Sequence, residues 1–274
     1  MSESEPMTGA LRLPGSGAAK PLSGWRVLVP RGGPWGDTVA ASLRARGASP
    51  VVAPMINFAA TDDAPALEAA LAKLAAGGFD WVTVTSATTV DVLSSHGAVV
   101  PPTTKIAAVG ETTASALLAA GYHVDTVPSE ENSAQGMLDE WERATGGQKP
   151  LRVLALRSAI AKQVLSVGLA RIGHQVEAVV AYRTVGVPVA QKVVDDVRDG
   201  RVQALLVTSG SVAEQVQKQL APLPESTLIA AIGPQTEQDA AKHGLHVDVV
   251  AEERSAESLI DAIAKVAVAR RDAE

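Results

Sequence analysis

The sequence predicts an α/β protein with two parallel-sheet lobes. Three observations lead there. Short β-branched runs alternate with alanine-rich segments of helical period, which is the pattern of parallel strands joined by crossover helices. Apolar residues make up 46% of the 274 positions but aromatic ones only 3%, so Ala, Val and Leu have to fill the layers. Finally, the second half of the chain repeats the first.

Residues 1–21 are rich in Ser, Gly and Pro and have neither the basic nor the apolar region of a signal peptide, so they read as a disordered tail. PGSGAAK within it lacks the glycine spacing and the Lys-Ser/Thr pair of a phosphate loop. Strands are then predicted at 26–30 (RVLVP), 49–54 (SPVVAP), 81–85 (WVTVT), 105–109 (KIAAV) and 123–127 (HVDTV). Five more follow at 152–156 (RVLAL), 175–182 (QVEAVVAY), 204–208 (ALLVT), 228–232 (LIAAI) and 246–250 (HVDVV). Helical patterns lie between or after them, as in 37–47 (DTVAASLRARG), 112–121 (TTASALLAAG) and 257–268 (ESLIDAIAKVAV). Ten strands suit two five-stranded sheets better than one.

The repeat is specific. Residues 105–125 align with 228–248 without a gap at an offset of 123, and Ile106, Ala107, Ala108, Gly110, Thr113, Gly121, His123, Val124 and Asp125 all recur identically. The same offset pairs Thr85-Ser86 with Thr208-Ser209. Arg26-Val27-Leu28, Arg31, Leu43 and Gly47 match Arg152-Val153-Leu154, Arg157, Leu169 and Gly173. Two connectivities fit. Consecutive lobes would divide near Gly146–Pro150. In an exchanged arrangement, the first two strands of each copy join the last three of the other, with crossings near 54–60 and 182–188.

The stretch EAVVAYRT (177–184) stands at one of those crossings. It reads as a strand that ends with Tyr182 and Arg183 exposed. The chain has only two tyrosines, and a phenol both donates and accepts a hydrogen bond.

Several function classes are excluded. With no cysteine there is no disulfide, iron–sulfur ligand or thiol nucleophile, which suits a reducing cytoplasm. A net charge of −6 argues against nucleic acid or an anionic membrane as partner, and no apolar run is long enough to span a bilayer. Arg31-Gly32-Gly33-Pro34-Trp35-Gly36 departs from the dinucleotide-binding order. His243 and His246 lack a third metal ligand, Ser158 and Ser209 lack a nucleophile-elbow context, and the acid pairs Asp62-Asp63, Glu130-Glu131 and Asp195-Asp196 read as solvated. What remains is the set of strand ends, which are small and hydroxylic: TSATT (85–89), GETT (110–113), TSGS (208–211) and GPQT (233–236), with Arg31 and Arg157 ending the paired first strands. In open parallel sheets ligands bind at such ends, where Ser and Thr cap helices and free N–H groups attract carboxylate or phosphate. The residues alone therefore predict a two-lobed protein with an anion-friendly cleft.

RVLVPR, PMINF, DWVTVTSATTV, IAAVGETTASALLAAG, VDTVPSE, VVAYRT, LLVTSGSV and IAAIGPQT, in this order from Trp25 to about Ala267, resemble the uroporphyrinogen-III synthase family. The resemblance implies the exchanged arrangement: flavodoxin-like lobes at 22–57 plus 185–270 and at 60–182, joined by a two-strand connector. It implies a cytoplasmic monomer that cyclises hydroxymethylbilane to uroporphyrinogen III, in the pathway to haem, with no metal or organic cofactor. Its partner would be a small-molecule polycarboxylate tetrapyrrole, not nucleic acid or membrane. Tyr182 matches the tyrosine discussed in that family, and Ser86, Thr113, Ser209, Ser211 and Thr236 match its hydroxylic positions. Together with Arg31 and Arg157 these are the expected substrate-binding residues. The alternative is a cytoplasmic two-lobed binding protein or sensor for an anionic metabolite.

Overall fold

The computed structural model describes residues 20–273. The chain runs β1 (Arg26–Val29), α1 (Gly33–Ala45), β2 (Ser49–Val52), β3 (Ile56–Ala60), α2 (Ala64–Ala75), β4 (Trp81–Val84), α3 (Ala87–Ser95), β5 (Lys105–Ala108), α4 (Glu111–Ala119) and α5 (Ala134–Thr145). It continues β6 (Arg152–Ser158), α6 (Val164–Arg171), β7 (Gln175–Gly186), α7 (Gln191–Arg198), β8 (Ala204–Val207), α8 (Gly210–Leu220), β9 (Leu228–Ala231), α9 (Pro234–Lys242), β10 (Val249–Val250) and α10 (Ala256–Asp272). The predicted tail lies outside the described residues except at its end, where Pro21 opens a turn that buries Leu22.

The elements divide into two units. The first holds the chain up to Met55 and from Pro188 onward, and the second holds Ile56–Val187. In the first, a parallel sheet has the order β10-β9-β8-β1-β2. In the second the order is β3-β7-β6-β4-β5. Each sheet thus mixes both copies of the repeat, which is the exchanged arrangement.

Equivalent hydrogen bonds mark the exchange. The Arg26 amide donates to Gln203 Oε1 at 2.8 Å, joining the first copy to the second. The Arg152 amide donates to Asp80 Oδ2 at 2.7 Å, joining the second to the first. Within each copy Ile106 N donates to Asp125 Oδ2 and Ile229 N to Asp248 Oδ2, at 2.8 and 2.7 Å. Thr104 and Thr227 donate likewise to the carbonyls of Phe79 and Val202. Identical residues recur because they anchor identical strand entries.

The cores follow from the pattern. β8 and β9 are buried at all four positions, as expected of central strands covered on both faces. α10 turns Leu259, Ile260, Ile263 and Ala267 onto a cluster with Val27, Val29, Leu206 and Ala230. In the second unit Leu67, Leu74, Leu93 and Leu117 pack on Val82, Val84, Leu154 and Leu156. Each fully buried Leu or Val contributes about 1.5–3 kcal/mol. The other face is built on Trp81, Met137, Trp141 and Leu169.

The structure corrects four expectations. The run at 123–127 makes only an isolated bridge from Thr126 to Ala107, and 246–250 shortens to Val249–Val250. The fifth strand of the second sheet is instead β3, within PMINF, and it pairs antiparallel with β7 from Ile56↔Gly186 to Ala60↔Tyr182. β7 therefore runs four residues past Tyr182, and that residue is buried at 7% exposure instead of ending a strand in solvent. Asp196 is not solvated. It is 5% exposed and accepts from Arg26 Nη2 at 2.7 Å and Arg201 Nε at 2.8 Å, and these bonds hold its carboxyl below the usual range.

Candidate active site

The second unit brings two of the expected residues into direct contact. Tyr182 on β7 reaches past the end of β6 to Ser86, which follows β4, and its Oη lies 3.1 Å from Ser86 Oγ. Ser86 holds the extended backbone of an N-cap and accepts from the amide of Thr89 at 3.2 Å, so its hydroxyl is fixed by the start of α3. Thr89 Oγ1 lies 3.0 Å from the same oxygen. Tyr182 belongs to the buried cluster that also holds Leu154, Leu156 and Val84, and the ring of Phe58 meets its ring edge-on with centroids 5.3 Å apart. Phenol, serine and threonine thus form one short chain of hydroxyls at the sheet's carboxyl edge.

Arg157 is the last residue but one of β6, the strand between β7 and β4. A register shift between Arg157 and Ser158 places Ser158 opposite Tyr182. Arg157 Nη1 donates to the carbonyls of Ser158 and Ala159 at 3.2 and 3.4 Å. Its Nε and the Ser158 hydroxyl are buried without a hydrogen-bond partner among the described residues. Buried polar atoms are rarely left unmatched, so these are groups with capacity for a ligand. Thr113 is buried in the first turn of α4, after Gly110, whose φ of 93° needs a residue without a β-carbon.

In the first unit Arg31, Ser209 with Ser211, and Thr236 follow β1, β8 and β9, three adjacent strands. Ser209 caps α8 by accepting from Val212 N at 3.3 Å, and Thr236 is buried in the first turn of α9. The Arg31 guanidinium lies over the ring of Trp35, 5.1 Å from its centroid, and burial makes it easier to deprotonate than a free arginine. Among the described residues these four share an edge with no side-chain hydrogen bond between them. Thr208 Oγ1 beside them is buried and unpartnered among the described residues.

Sequence reasoning gave no role of their own to Phe58 and Thr89, although they lie in stretches it named, PMINF and TSATT. Phe58 lies on β3, which local pattern did not mark as a strand although the resemblance implied a two-strand connector there, and its partner Tyr182 is far away along the chain. Thr89 carried a signal, since a hydroxyl three residues after an N-cap Ser lies in reach of it. Among the described residues no three His, Asp or Glu side chains gather as metal ligands, and no helix is long and apolar enough to cross a membrane.

Comparison with known proteins gives one consistent result. Residues 37–261 match the family model described as uroporphyrinogen-III synthase HemD. The porphyrin biosynthesis protein HemD of Ruminiclostridium josui is 30% identical over 255 residues, covering 90% of this chain and 49% of that protein. The uroporphyrinogen-III synthase of Synechococcus elongatus is 30% identical over 139 residues, covering 49% of this chain and 52% of that protein. The chain thus spans about half the length of these curated relatives. A crystal structure of a mutant uroporphyrinogen III synthase from the extremely thermophilic bacterium Thermus thermophilus shares the fold at a TM-score of 0.59 and 19% identity, over 90% of this chain and 99% of that one.

Proposed function

The chain belongs to the uroporphyrinogen-III synthase family, and from that premise we propose that it closes hydroxymethylbilane to uroporphyrinogen III, inverting the terminal pyrrole ring. The observation that carries the reading is the phenol of Tyr182, held 3.1 Å from a capping serine and braced by Phe58 at a carboxyl edge of helix starts.

The net chemistry is loss of one water. The carbon–oxygen bond of the substrate's hydroxymethyl group breaks with its electron pair on oxygen, pushed by the pyrrole nitrogen. Tyr182 donates a hydrogen bond to that departing oxygen. The resulting azafulvene reacts readily, so the protein's main task is geometric: it holds the chain curled so that the substituted carbon of the last ring attacks first. That spiro closure opens by breaking the bond between the last ring and its older bridge carbon, and the bridge carbon then bonds to the ring's other, unsubstituted α carbon across the nitrogen. Loss of the proton there completes the ring. Nothing in these steps calls for a metal, an organic cofactor or a side-chain nucleophile.

The substrate's carboxylates suit helix N-termini and arginine. Thr113 and Arg157 are assigned to them in the second unit, where Ser86 holds Tyr182, and Arg31, Ser209, Ser211 and Thr236 offer the same chemistry in the first. We read the protein as a monomer acting on this small polycarboxylate.

The test is isomer analysis. Protein given fresh hydroxymethylbilane should raise the III isomer above the I isomer that forms spontaneously, and the I isomer alone would overturn the proposal. Tyr182→Phe should slow formation of the III isomer by about 100-fold. Because it removes one neutral hydrogen bond and keeps the ring, stability should fall by only about 1 kcal/mol.

A further inference from the structure

The hydroxyl chain has a direction, and Thr89 decides it. Ser86 Oγ has one proton and two lone pairs. One lone pair is taken by the Thr89 amide at 3.2 Å, which leaves one acceptor site and one proton for two neighbours, Thr89 Oγ1 at 3.0 Å and Tyr182 Oη at 3.1 Å. One neighbour must donate to Ser86 and the other must accept from it.

Thr89 is 0% exposed, and Ser86 is the one partner of its hydroxyl among the described residues. If Thr89 accepted from Ser86, its own proton would be buried with no acceptor, and an unmatched buried donor is the costlier fault. If Thr89 donates, the proton left over is the phenol's, on a side chain that is 7% exposed where Thr89 is fully buried. The low-cost order therefore runs from Thr89 to Ser86 to Tyr182. The phenol oxygen accepts from Ser86, and its own proton is left with no protein acceptor among the described residues.

We propose that Thr89 is a positioning residue that orients the hydroxyls so that Tyr182 offers its proton to the substrate. The structural half of this claim stands on the hydrogen bonds alone, and its catalytic consequence rests on the function proposed above. In the opposite order Tyr182 would give its proton to Ser86 and have none for a departing hydroxyl.

The decisive measurement is a Raman spectrum of the tyrosine Fermi doublet, whose intensity ratio reports whether a phenol accepts or donates. A Tyr122→Phe background leaves Tyr182 as the one tyrosine of the chain. In that protein the doublet should show a phenol that accepts a hydrogen bond. Thr89→Val keeps the shape and removes the donor, so Ser86 can then take the Tyr182 proton. The doublet should shift towards the donating form, and kcat for the III isomer should fall by about 10-fold with KM little changed. Thr89→Ser should restore both readings.

A Tyr182 that reads as a donor before Thr89 is changed would overturn the proposal, as would a doublet that Thr89→Val does not move. A rate that rises in Thr89→Val would do so too, since it would mean that removing Thr89 frees the Ser86 proton for Tyr182. If Thr89→Val does not fold, the spectrum of the Tyr122→Phe protein still decides. The spectrum needs no substrate, so failure of the isomer assay would sink the function without touching the direction of the chain.

Discussion

Replacing Gly36 by Ala should destabilise the first unit and displace Arg31. Gly36 lies near the start of α1 and is buried. A β-carbon there would stand 3.0 Å from the carbonyl carbon of Arg31, closer still to its oxygen, and 3.9 Å from Val52 Cγ1. Ordinary contact needs about 3.5–4.0 Å, so the backbone of the turn would have to retreat by about 1 Å. Overpacking of this kind costs about 1–3 kcal/mol, and a clash with backbone belongs at the upper end. Alanine recovers about 1 kcal/mol of helix propensity. The expected net loss is about 2 kcal/mol, a fall in Tm of about 4–8 °C for a unit of this size. Urea denaturation followed by circular dichroism measures it. Gly32→Ala is the control, because its β-carbon would meet only the Pro54 side chain, at 3.2 Å, and its φ of −96° suits any residue. That variant should lose less than about 1 kcal/mol. If Gly36→Ala matched or exceeded the wild type in stability, the account of a turn closed on backbone would be wrong.

Two further outcomes can be checked. His174 is 6% exposed, and both ring nitrogens face N–H donors, Trp141 Nε1 at 3.0 Å and Leu151 N at 3.2 Å. Burial, and then the charge of Lys149, hold it below the ordinary value of 6.5, so the folded state prefers the neutral ring. The stability this gives is fully present above that value and drains away as pH falls through it, with a limiting slope of about 1.4 kcal/mol per pH unit. Urea midpoints taken between about pH 7 and about pH 5.5 should fall in the wild type and stay flatter in His174→Gln; equal slopes would remove His174 from the acid response. Arg31→Lys keeps the charge but loses the guanidinium over Trp35 and the forked donor. KM for hydroxymethylbilane should rise by about 10-fold, with stability within about 0.5 kcal/mol, whereas an unchanged KM would take Arg31 out of carboxylate binding.

Most of the fold was legible in the chain itself. Local period showed where β1, β4, β8 and β9 lie, because a central parallel strand is apolar on both faces whatever it pairs with. The repeat showed that two equivalent units exist, since Asp125 and Asp248 were retained with the strand entries they anchor. Ser86 and Ser209 were readable as caps because a cap is a contact between residues three apart. The exchange of halves was beyond local reading, because it rests on strands such as β1 and β8 that meet across most of the chain. So was the burial of Tyr182, which depends on β3 extending β7 beyond it, on Phe58 against its ring and on Ser86 across an intervening strand. A periodic pattern records which face of a segment is apolar. It carries no record of which distant segment covers that face, and that choice is made by the summed packing and hydrogen bonding of the whole unit.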